Sequence, residues 1–118
     1  MAGFTDAQEL VVLDYFFHDA ATLYVGYSAS AGTECADATY ARQTIAFDAA
    51  SSGATTNTAA VTFPAQTAGG NVVECALFED LSGGAQITDW KALTAGTVAL
   101  SAGQQFRIPA GDYDLTLD

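Results

Sequence analysis

The chain is almost without positive charge. Arg42, Lys91 and Arg107 stand against fourteen Asp and Glu, a formal net charge of −11 over 118 residues. A polyanion is bound by neutralising its phosphates with Lys and Arg, so the balance argues against nucleic acid and equally against an anionic membrane surface. What it favours is solubility and resistance to non-specific adhesion. Histidine is as scarce. His18 is the single one, at the end of an expected helix, where it faces the helix terminus or solvent rather than acting as a base. No run approaches the roughly eighteen apolar residues of a membrane span. The first twenty residues have no positive n-region, and Asp6, Glu9 and Asp14 interrupt what would be the apolar core, so no signal peptide is expected.

Cysteine is limited to Cys35 and Cys75, with no CxxC and no histidine nearby. Two free thiols are expected in a reducing cytosol, a Cys35–Cys75 bridge being the alternative in an oxidising medium. Also missing are a Ser-His-Asp set, a phosphate-cradling Gly motif and any EF-hand spacing. Asp112, Asp114 and Asp118, or Glu79 and Asp80, read as solvated charges rather than calcium ligands. A carboxylate pair for glycoside hydrolysis needs a cleft that a small sandwich seldom builds. The expectation is no enzyme, no cofactor and no metal.

What the chain has is alternation. Leu23, Val25 and Tyr27 alternate with Tyr24, Gly26 and Ser28; Ile45 and Phe47 share a face; so do Val61 and Phe63, and Val73, Cys75 and Leu77. Further runs cover Thr97–Leu100, Gln105–Ile108 and Tyr113, Leu115 and Leu117. The segments 29–39 and 49–58 are small and polar and read as loops; PAQTAGGN and EDLSGG supply turn glycines. A period of two means one face buried and one wet, as in an antiparallel sheet. The fold class expected is mainly β: an antiparallel β-sandwich, jelly-roll or immunoglobulin-like, of about eight strands. It forms a single domain, 1–118, with a helical segment at 1–20 and the sandwich at 21–118, burying roughly two thirds of its extended-chain surface.

The helix itself is read from Asp6 to Phe17. Thr5 and Gln8 have capping-box spacing, and Asp6 suits the positive helix end. Leu10, Leu13 and Phe17 share one side with Val12 and Phe16 beside them. So apolar a side must dock, either on its own domain or on a neighbouring subunit. Leu10, Leu13, Phe16 and Phe17 are therefore candidate interaction residues. Trp90 is another, as an indole that packs in a core or interface, or stacks on a sugar ring.

Four segments, YARQTIAF (40–47), TNTAAVTFP (56–64), ALFEDLSGGAQITDWKALT (76–94) and SAGQQFRIPAGDYDLTLD (101–118), follow TLYVGYS (22–28) in a distinctive order. Together they resemble a family of small tailed-bacteriophage virion proteins labelled tail fibre or minor structural proteins, some of this general type being capsid decoration (cement) proteins. Gln104, where that family often has Asp, and Asp112-Tyr113-Asp114, in place of a plainer apolar run, are departures that leave a sandwich intact and bear on the surface offered to a partner.

The resemblance implies a structural role and no catalytic residues. It leads to a cement protein on the outer capsid, made in the host cytoplasm, bound to the major capsid protein and closing as a trimer at local three-fold positions. The alternatives are a tail fibre or tail-tip subunit bound to tail proteins and, in another class, a carbohydrate-binding module with Trp90 and exposed tyrosines as its platform.

Overall fold

A computed structural model describes residues 22–50, 54–93 and 96–116. The expected N-terminal helix, with Leu10, Leu13, Phe16 and Phe17, lies outside the described residues. Within them the chain is mainly β, built of short strands, and every registered strand pair is antiparallel. The described residues fall into two compact units. One comprises 23–44, 62–93 and 96–107. The other comprises Thr22, 45–50, 54–61 and 108–116.

The larger unit is organised on β1 (Leu23–Ser30). Its Leu, Val and Tyr side chains suit a pleated, half-buried surface. β1 pairs antiparallel with β7 (Glu74–Phe78) from Tyr24↔Phe78 to Ser28↔Glu74. On its other side it forms a hairpin with β2 (Thr33–Glu34), in which Ser28 faces Glu34. β7 carries β8 (Lys91–Ala92), giving the order β2-β1-β7-β8, and β3 (Gln43–Ile45) also pairs with β1. A two-stranded ribbon joins β6 (Gly70–Val72) to β9 (Val98–Leu100). β5 (Val61–Thr62) pairs with β10 (Arg107–Ile108), Thr62 and Arg107 being the residues of that pair that belong to this unit.

Tyr27 sits at the centre of this unit with no exposed surface. The rings of Tyr40, Phe63 and Phe106 meet it edge-on at centroid distances of 4.9, 4.9 and 5.5 Å. A buried hydroxyl is costly unless it is hydrogen-bonded. That of Tyr27 accepts from Nε2 of the buried Gln66 at 3.0 Å.

In the smaller unit β4 (Ala54–Thr56) pairs antiparallel with β11 (Asp114–Thr116). Phe47 meets Tyr113 edge-on at 5.9 Å. Asn57, 1% exposed, takes over work the short ladder leaves undone. Its Nδ2 donates to the carbonyls of Ala59 and Pro109 at 2.8 and 3.0 Å, and its Oδ1 accepts from the Tyr113 amide at 2.8 Å.

Three local expectations change. β1 is not wet on one face: Gly26 and Ser28 are buried as well as Val25 and Tyr27, because side chains from Glu34, Tyr40 and Glu74 cover that side. The polar segments 29–39 and 49–58 contain β2 and β4. Finally, the run through Val73 is two strands, not one. Val72 ends β6 fully buried, and Val73 is a break whose amide donates to Ser28 O and whose carbonyl accepts from Leu93 N.

Candidate functional site

The strongest constellation of charge lies around Arg42, in the segment that leads from the turn at 37–40 into β3. A cation taken out of water must be paired and hydrogen-bonded. Arg42 is 8% exposed and uses its whole guanidinium fork. Nε donates to Glu34 Oε2 at 2.8 Å and Nη2 to Glu34 Oε1 at 3.0 Å, the two-point geometry that Arg offers a carboxylate. Nη1 donates to the backbone carbonyls of Asp80 and Gly83, both at 2.8 Å. The flat face rests 3.6 Å from the centroid of Phe78. Tyr40 completes the group. Its hydroxyl donates to Glu34 Oε2 at 2.5 Å and accepts from the Tyr27 amide at 3.2 Å.

The electrostatics follow from that arrangement. Burial by itself would raise the Glu34 carboxyl, but the hydrogen bonds from Arg42 and Tyr40 hold it below the ordinary range. The same bond to Glu34 raises Arg42. Burial and the neighbouring Glu34 push the Tyr40 phenol up. All three therefore keep their roles across ordinary pH, Glu34 charged, Arg42 charged and Tyr40 protonated.

What Arg42 holds is the loop between β7 and residue 87. The Glu79 amide donates to Ala85 O at 3.1 Å, and Phe78 and Gln86 form a β-bridge that closes the base. Gly83 and Gly84 have φ of +65° and +67°, and a Cβ on Gly84 would run into the Asp80 carboxyl group. The loop needs glycine here for both reasons. Every residue from Glu79 to Gln86 is exposed, and Leu81 at 58% is the large hydrophobic side chain left in solvent among the described residues. Trp90 reaches the same corner. It is half-buried and meets the Phe78 ring at 5.7 Å in an edge-to-face contact, on a ring that also carries Arg42.

A second polar cluster fastens two loops of the same unit. Asp37 accepts from the amide and hydroxyl of Thr39, the amide and hydroxyl of Thr67, and the amide of Ala68. The amide of Thr39 first, then that of Thr67, hold its carboxyl far below the usual carboxylate range. Among the described residues no three His, Cys, Asp or Glu side chains gather as metal ligands would.

Of the candidate residues, only Trp90 lies among the described ones, and it joins the Arg42 corner. Arg42 was legible only as one of three cations, and Leu81 not at all. The sequence holds an arginine in YARQT and a Gly-bearing EDLSGG, and no signal that joins the two.

A family model described as the podophage GP4 fiber I protein gp80 matches residues 6–116, which takes in every strand of both units. The chain belongs to that family. It is a bacteriophage virion structural protein of the fibre type. No curated protein matches it.

Proposed function

We propose that the chain is a non-enzymatic fibre subunit of the phage tail, working by binding neighbouring virion proteins. The observation that carries the reading is the extent of the family match. It spans both compact units rather than one, so the whole folded body corresponds to a fibre protein. Outer-capsid decoration, which the sequence pattern led with, is the competing location, and the fibre designation favours the tail. Closure as a trimer belongs to the same proposal, since identical chains assemble by rotational symmetry. So does arrangement of the strands as a two-sheet sandwich. Nothing in the charge pattern supports a nucleic-acid role.

Electron microscopy of virions labelled with gold-coupled antibody tests the location. Gold at the tail is expected; gold spread evenly over the shell would make the protein a decoration subunit instead. Molar mass by light scattering tests the trimer.

A further inference from the structure

The geometry assigns a docking role to the loop 79–86. We propose that it seats Leu81 in a small apolar pocket, rimmed by Lys or Arg, on a neighbouring virion protein. The inference rests on the virion role above and names the surface and the partner chemistry within it.

The loop contributes no burial of its own, since all its residues from Glu79 to Gln86 are exposed. Yet a buried cation is committed to holding it. Arg42 Nη1 grips the carbonyls of Asp80 and Gly83, on either side of Leu81, while Glu34 and the Phe78 ring hold Arg42 from behind. Removing a charge from water for the sake of an exposed loop is unfavourable in itself. The stabilisation it gives goes into the shape of the outer surface. A loop already ordered before contact loses little further freedom on binding, which is the physical content of preorganisation.

Charge complementarity selects the occupant. Leu81 is preceded by the exposed carboxylates Glu79 and Asp80. For this acidic loop a second copy of this chain is a poor occupant, whatever surface closes the trimer: it offers only three cations, and of these Arg42 is buried. A protein surface that brings its own Lys or Arg around an apolar pocket satisfies both the leucine and the carboxylates. Opposite charge there steers docking and excludes wrong partners, while the buried leucine supplies the anchor.

The test uses phage particles carrying the full chain with Leu81→Asp, Leu81→Ser or, as a charge control outside the loop, Ser101→Asp. Copies of the protein per purified virion are counted by quantitative mass spectrometry, and each purified variant is checked by thermal melting. Leu81 and Ser101 are exposed, so all three variants should melt with the wild type. The proposal expects Leu81→Asp to lower occupancy by about tenfold or more, the scale of losing an interface anchor. Leu81→Ser should lower it less, and Ser101→Asp should leave it unchanged. Wild-type protein should also come off virions more readily as salt is raised. Wild-type occupancy with both Leu81 variants overturns the proposal, whether infection is normal or host adsorption is lost. The tail location is judged separately by the antibody labelling, so either result stands without the other.

Discussion

Asp37 accepts hydrogen bonds from both the backbone amide and the hydroxyl of Thr67, thirty residues further along the chain. With Thr39 and Ala68 on the same carboxylate, one side chain fixes the path of two loops. Asp37→Asn should lower the melting temperature at neutral pH, because an amide nitrogen cannot accept the bonds its oxygen predecessor did. The folded-state pKa of Asp37 is depressed, so its contribution is full above the unfolded value near 4 and is lost as pH falls through the folded one. Melting curves of wild type and variant should therefore converge only in strong acid. A constant gap down to that range would show that charge is not what the loops use.

Arg42→Met should be far more damaging than its single charge suggests. It strips Glu34 of its partner and leaves the carbonyls of Asp80 and Gly83 without their donor. Breaking a buried pair costs about 3–5 kcal/mol, and because the Glu34 side chain is 29% exposed the lower end applies. Arg42→Met combined with Glu34→Gln should cost less than the sum of the two single changes, as residues in one network couple. Denaturant unfolding of the four proteins measures this; strict additivity would mean that the two groups act separately.

Gly26 faces the Tyr40 hydroxyl so closely that an added Cβ would collide with it. Gly26→Ala is expected to cost about 1–3 kcal/mol by overpacking. Tyr40→Phe removes the oxygen in the way, so Gly26→Ala in that background should cost measurably less. Equal losses in both backgrounds would place the conflict elsewhere, against Glu34 or Phe78.

The thiols should stay silent. Cys75 faces Tyr27 across β7 and β1, while the Cys35 amide binds Tyr27 O from the β2 side. One strand therefore separates them, a Cα distance of about 9–10 Å from strand spacing, beyond the ~7 Å limit of a disulfide. Both are buried and free, and burial pushes the Cys75 thiol up to about 12. Iodoacetamide should label neither thiol of the native protein appreciably and both after denaturation. Two retained thiols after mild oxidation would agree; a protein lighter by two hydrogens without unfolding would not.

Much of this was legible in the residues and some was not, for physical reasons. Leu23, Val25, Tyr27, Ile45, Phe47, Val61 and Phe63 are buried as their alternation requires, because apolar side chains on one face have no better place. The period breaks at Val72–Val73, where two strands abut without a turn residue between them, so the sequence offers no mark of the boundary. β2 and β4 escape notice because Thr, Glu and Ala carry little apolar signal; β2 is a strand through its hairpin with β1, and β4 through β11, a partner far along the chain. The Arg42 corner was hidden for the same reason. Arg42 and Asp80 are 38 residues apart, and one arginine in a sequence says nothing of which carbonyls it will find.

The pairing of β1 with β7 also sets a schedule. Its partners are 46 to 54 positions apart, from Ser28 and Glu74 to Tyr24 and Phe78. A strand near the start of the chain thus leaves the ribosome well before the strand that completes it, and closing so distant a contact is slow. During that interval the emerging polypeptide shows an unpaired Leu-Tyr-Val-Gly-Tyr edge, the kind of surface that seeds clumping among nascent chains. The strong negative charge then has a second use, keeping unfinished copies apart until Phe78 has been synthesised.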